Sequence, residues 1–259
     1  MHWTIKNEHA TILYMHTVSL FTNKTLPEEI RSTLWTGASL GQAHTLHISS
    51  GHPALDAQLP GEGWPTQTLI EVLPDHGNLG GVQIFLPVAK KMIRQGGSVI
   101  LISPRQVPYL PSWMRDGIPP DRLIWIQAQT QADRLWATQK ALQARALTLI
   151  ACWLPQARPD HMRRLQGYAK QHPGLLFAIR PYESRQEPSA APLRIAVSRS
   201  MHSLGLDVQI LKRRGLPLHD PVHLPPHQTD LAHLVRPVDH AALDRLDTGL
   251  SRTRELALQ

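Results

Sequence analysis

A glycine-bearing loop between a β-rich run and a helix is where a nucleotide-binding α/β protein holds phosphates, because backbone N–H groups at a helix N-terminus point at the anion. This chain has such a loop in Pro74-Asp75-His76-Gly77-Asn78-Leu79-Gly80-Gly81-Val82-Gln83. It lacks the Lys-Ser/Thr pair with which a phosphate-binding loop reaches the terminal phosphates and holds magnesium. Asp75 would repel phosphate besides. A hydrolase of this kind also needs an acid at a strand end, yet the apolar runs that end at Ile102 and Leu154 continue into Ser103-Pro104-Arg105 and Pro155. Three parts are absent together, so nucleotide hydrolysis is not expected and no catalytic residue is assigned. Gly77, Gly80 and Gly81 are expected to make a tight turn, not a cofactor site.

The other reactive side chains point less sharply. The sequence has 15 histidines, densest at His219, His223, His227 and His233. They lie among prolines and not at the i, i+4 spacing that would fix a coordination geometry, so solvated side chains are expected and no metal. Cys152, the sole cysteine, lies inside an apolar run where a thiol packs and does not react. Trp64, Trp113, Trp125, Trp136 and Trp153 are expected in the core, not as base-stacking platforms. The sharpest basic feature is Lys212-Arg213-Arg214, which suits non-specific contact with DNA phosphates or an acidic partner. A charged strand end that discourages aggregation accounts for it somewhat better.

Elements must position these groups, and their order is readable. Thr68 to Leu73 is a short β-rich run, followed by a helix over Val82 to Arg94 with apolar residues at Ile84, Phe85, Val88 and Met92. Continuous apolar runs at Ser98 to Ile102, Leu123 to Ile126, Ala146 to Leu154 and Leu175 to Arg180 suit strands covered on both faces. Helical patterns at Asp133 to Ala144 and Asp160 to Gln171 separate them, and Val208 to Lys212 reads as a later strand. This alternation predicts an α/β fold with a mostly parallel sheet flanked by helices. Residues 1–25 form a poorly specified leader, 26–49 a short helix and linker, 50–215 the core domain, and 216–259 a Pro/His-rich tail with a helix only near its end.

Composition narrows the class. The chain has 259 residues, enough for one sizeable core, and 42% of them are hydrophobic. A formal charge of +7 and a pI near 9.9 favour an acidic partner. No run is long and apolar enough to span a bilayer, so no membrane association is expected. With one cysteine, an internal disulfide is excluded and a reducing, cytoplasmic location is expected.

Ser50-Gly51-His52-Pro53-Ala54-Leu55-Asp56, then Pro60-Gly61-Glu62-Gly63-Trp64-Pro65 and Leu69-Ile70-Glu71-Val72, resembles the segment leading into the RecA core. With the diverged loop, Pro181 and the Lys212-Arg213-Arg214-Gly215 end, the chain resembles the ImuA family of bacterial SOS mutagenesis cassettes over residues 27–217. The resemblance implies a RecA-like core with a degenerate P-loop and flexible tails, and a non-catalytic accessory role in SOS-induced translesion DNA synthesis. Its implied partners are an ImuB-type Y-family polymerase homologue and a DnaE-type error-prone polymerase, with RecA as a further one. By analogy with RecA-like proteins, residues 26–49 are expected to mediate self-association. Gln83-Ile84-Phe85-Leu86-Pro87 and Ala151-Cys152-Trp153-Leu154 fit equally the shorter SulA family of cell division inhibitors that bind FtsZ, which is the alternative reading. A residual ATPase is a third.

Overall fold

The computed structural model describes residues 46–75, 80–144, 146–201 and 205–225. The expected leader, the helix after Leu26, Gly77, His227, His233 and the terminal helix lie outside the described residues. The chain opens with β1 (His47–Ile48), α1 (Pro53–Asp56) and β2 (Trp64–Pro65), the two strands pairing antiparallel. Asp56 ties this segment together: its carboxylate accepts from the Ser50 N–H at 2.8 Å and the Ser49 hydroxyl at 2.7 Å. Gly51 has φ +82°, and a Cβ there would collide with the Pro87 ring, so only glycine lets this segment lie against the helix that Pro87 begins.

The main body follows as β3 (Leu69–Pro74), α2 (Gly80–Gln83), α3 (Leu86–Arg94), β4 (Ser98–Ile102), α4 (Leu110–Arg115), β5 (Leu123–Ile126), α5 (Gln131–Gln143), β6 (Thr148–Trp153), α6 (Pro159–Ala169), β7 (Leu175–Ile179), β8 (Leu193–Arg199), β9 (Leu206–Lys212) and β10 (Val222–Leu224). Its eight strands lie in the order β10-β9-β8-β3-β7-β6-β4-β5. From β8 through β5 every pairing is parallel, while β9 and β10 are antiparallel additions. The expected α/β architecture with a mostly parallel sheet and flanking helices is observed.

Alternation along the strands divides the core into two layers. Ile70, Val72, Val99, Leu101 and Phe177 face the break between α2 and α3, through Ile84 and Phe85, and α3 itself, through Val88 and Met92. Leu69, Ile100, Ile102, Ile150, Cys152 and Leu176 face α5 and α6 through Ala137, Ala141, Met162 and Leu165. The α5 helix starts two residues before its expected position because Thr130 caps it: its hydroxyl accepts from the Asp133 N–H at 3.1 Å, and the Asp133 carboxylate accepts from the Thr130 N–H at 3.3 Å.

Several elements differ from the sequence reading. The single helix expected over Val82 to Arg94 is two helices, broken at Ile84-Phe85, because Pro87 has no N–H for an i−4 bond and instead occupies the first turn of α3. The elements not anticipated include β8, whose apolar run is broken by Arg194, α4, which lies beyond two prolines, and the short β1, α1 and β2 that precede the main body. The sheet also extends past Gly215, since β10 pairs with β9 through Val222↔Val208 and Leu224↔Leu206.

Candidate functional site

β3 sits at the switch point of the sheet. The chain leaves it toward β4 and β5 on one side, and the connection from β7 later crosses it to reach β8 on the other. In open α/β sheets such a point leaves a crevice beyond the carboxyl ends of the strands. Here that crevice is a cleft of about 780 Å³. Its floor is the ends of β3, β4, β6 and β7 at Pro74, Leu101, Trp153 and Ile179, and its wall is the Ser103–Tyr109 segment with Ser112 and Trp113 of α4.

Ser103 shapes that wall. Its φ of 49° is in the left-handed region, which costs a non-glycine residue of order 1 kcal/mol. Local bonds hold it there: the N–H donates to the Ile126 carbonyl at 2.8 Å, and the hydroxyl accepts from the Ala128 N–H at 2.8 Å and donates to the Ala128 carbonyl at 3.1 Å. The end of β4 is thereby stapled to the end of β5, and the chain is turned outward along the cleft.

Beneath the cleft lies a buried charge network. Glu71 on β3 is fully buried and shares the face of Leu69, while Arg194 is its register partner on β8. Glu71 accepts from Arg180 Nη1 at 2.8 Å and from Arg194 Nε at 2.7 Å. Arg180 Nη2 donates to the Ala157 carbonyl at 2.6 Å and to Glu187 at 2.7 Å, and Arg194 Nη2 to the Ser184 carbonyl at 2.8 Å. The two guanidiniums thus anchor the loop after β7 to the sheet. Arg180 Nε is buried with no hydrogen-bond partner among the described residues, and Arg180 itself lines the cleft. The carboxylate that β3 itself carries is committed to this network.

The groups singled out from the sequence scatter. Gly80 and Gly81 begin α2, a single turn too short to present the stacked amides and dipole of a phosphate-binding helix. Lys212, Arg213 and Arg214 lie at the opposite end of the strands from the cleft, since Lys212 pairs with Arg194 at the start of β8. Two of these cations are occupied at home. Lys212 Nζ donates to the Ser189 carbonyl at 3.0 Å, and Arg213 donates to the Leu216 carbonyl at 2.6 Å and to the Gln58 carbonyl. Arg214 is exposed; partial burial, with its positive charge acting second, holds the His47 imidazole below its usual value. His223 Nδ1 lies 2.8 Å from Asp207. Among the described residues no three His, Cys, Asp or Glu side chains gather as metal ligands, and no helix is long and apolar enough to cross a membrane.

The tryptophans divide. Trp64 and Trp113 are core residues and Trp153 lines the cleft, but Trp125 and Trp136 are exposed, contrary to the expectation that all five pack inside. Cys152 is buried and its Sγ contacts the Phe177 carbonyl at 3.4 Å. Burial pushes its thiol up to about 12, against the opposing pull of a hydrogen bond with Thr138. The folded protein is therefore expected not to react with an aromatic disulfide reagent at pH 8, and to titrate one thiol once unfolded in urea. Rapid labelling of the native protein would contradict that placement.

The fold thus defines a class: an α/β protein whose central parallel sheet carries a cleft at its switch point. No protein-family model matches the chain. It is similar to the cell division inhibitor SulA of Photorhabdus laumondii subsp. laumondii, with 24% identity over 112 residues. The match covers 43% of this chain and 63% of that protein's length.

Proposed function

We propose that the chain is a non-catalytic docking protein of the bacterial SOS response, an ImuA-like accessory factor of translesion synthesis with a degenerate RecA-like core. The observation that carries this reading is the surface around the cleft. The segment after β4 that walls the cleft, together with α4, presents apolar side chains to solvent: Val107 is 71% exposed, Tyr109 72% and Met114 51%, with Leu110 beside them. Clustered exposed apolar residues at a cleft mark a protein-binding surface, and a tyrosine anchor is typical of its energetic centre. The loop sequence without Lys-Ser/Thr and the commitment of Glu71 to two arginines support a binding role over hydrolysis. In this reading the rim receives a segment of an ImuB-type polymerase homologue or of a DnaE-type polymerase.

A second reading, a SulA-like division inhibitor that binds FtsZ, is favoured by the 112-residue similarity. Genetics separates the two. Deleting the gene is expected to lower damage-induced mutation frequency, and overproducing the protein to leave cell division normal. Filamentous cells on overproduction with unchanged mutation frequency on deletion would transfer the proposal to division inhibition. No effect in either arm would sink both.

A further inference from the structure

On the face of the sheet that carries α5 and α6, a second depression of about 1020 Å³ runs between the start of α5 and the start of α6. Six side chains give it its character: Gln131, Trp136 and Gln139 from α5, and Arg158, His161 and Arg164 from α6 and the residue before it. Trp136 is 62% exposed, which is costly for an indole that has only to be packed. Its neighbour Lys140 places an ammonium 5.9 Å from the ring centroid.

The charge balance of this groove is positive. Asp133 is spent on the cap, accepting from the Thr130 hydroxyl at 2.7 Å, and Asp160 lies 3.9 Å from Arg158 and 3.7 Å from His161. The Arg158 side chain nevertheless remains 75% exposed. Both helices also begin here, and they run for 13 and 11 residues, so the positive ends of two helix dipoles meet at the groove. The amide nitrogen of Gln131, in the same lining, is buried and has no hydrogen-bond partner among the described residues. A donor left so costs on the order of 1 to 3 kcal/mol unless something accepts from it.

We infer that this groove binds single-stranded nucleic acid, with phosphates on Arg158 and Arg164 and a base stacked on Trp136. The mix of a planar indole, planar guanidiniums and amides fits this ligand: stacking is tolerant of sequence, phosphates meet the arginines, and amides reach base edges. An acidic peptide fits less well, because it has no flat base to lie on the exposed Trp136 indole, and the aliphatic part of the lining is only Leu135 and Ala132. The site lies apart from Lys212, Arg213 and Arg214, two of which are already bonded to backbone carbonyls.

The test is fluorescence anisotropy of a labelled oligothymidylate of about 20 nucleotides with the full-length protein. Binding should weaken steeply with added salt, as counterion release requires. Trp136→Ala and the double change Arg158→Glu with Arg164→Glu should each weaken it roughly tenfold or more, and Trp136→Phe should restore most of the former loss. Arg214→Ala should leave it within about twofold. These positions are exposed, so thermal melts near that of the parent will show the variants folded. Absence of binding at low salt, equal loss with Arg214→Ala, or displacement of the oligonucleotide by an equal concentration of polyglutamate would overturn the assignment.

Discussion

Glu71→Gln is expected to destabilise the protein by about 3 to 5 kcal/mol, read as a fall in the urea midpoint with little change in slope. Glutamine preserves the shape but leaves two guanidiniums in the interior facing a neutral amide. Arg180 and Arg194 are almost fully buried, and the remaining carboxylate, Glu187, is half exposed and reaches only Arg180. The loss reports stranded charge, not the net worth of the network. Replacing Glu71, Arg180 and Arg194 together by Met, Leu and Met should therefore recover much of the stability, because well-packed apolar residues often match a buried ionic cluster. It should also loosen the loop after β7, whose carbonyls at Ser184 and Arg185 would lose their donors. A single-variant loss below about 1 kcal/mol would show that Glu71 is not holding the two charges.

Phe177→Ala is expected to cost a similar amount, about 3 to 5 kcal/mol, for an unrelated reason. Phe177 is fully buried at the middle of the sheet, edge-on to Trp64 at 5.2 Å and stacked with Phe85 at 5.3 Å. Through those two rings it joins the segment before β3, the sheet and the break between α2 and α3. Removing it opens a cavity that three separate elements would have to collapse to fill, which rigid sheet backbone resists. Phe177→Leu, which conserves most of the volume, should cost under about 2 kcal/mol. Equal losses for Ala and Leu would place the energy in ring geometry instead of filled volume.

Much of this architecture was legible because four of the parallel strands are uninterrupted apolar runs separated by helical periodicity. Burial on both faces leaves that pattern in β4, β6 and β7, whereas β5 shows it although it is an edge strand with Ile124 and Trp125 exposed, which corrects its expected cover on both faces. The strand β8 escaped because Arg194 breaks its run, although the break was itself a signal. Glu71 within Leu-Ile-Glu-Val-Leu and Arg194 within Leu-Arg-Ile-Ala-Val are charges at positions that a doubly covered strand must bury, so they have to find each other. Arg180, two residues beyond Ala178 on the same face, completes the set. The short β10 carries only Val222 and Leu224 as inward residues, too few to stand out among prolines.

The candidate site was less legible than the fold. The loop at residues 74–83 drew attention to the right edge of the sheet, but the apolar rim comes from Val107, Tyr109, Leu110 and Met114, in a stretch whose prolines read as a simple connection. Nothing in the sequence tells an exposed tyrosine from a packed one. Lys212 and Arg213 illustrate the converse: consecutive cations look available until the carbonyls of Ser189, Leu216 and Gln58 are found around them. The exposure of Trp136 is decided by which face of α5 meets the sheet. Ala137, Ala141 and Leu142 take that face, which leaves Trp136 outside.

Docking of a translesion polymerase component on the rim of the switch-point cleft, as proposed, is measured by biolayer interferometry with purified proteins. The intact chain and the variants Tyr109→Ala and Val107→Asp would each be measured against an ImuB-type homologue, a DnaE-type polymerase and FtsZ. Saturable binding to at least one of the first two is expected, weakened roughly tenfold or more by each rim variant, with none to FtsZ. Binding to neither polymerase component, or binding that both rim variants leave unchanged, would contradict it.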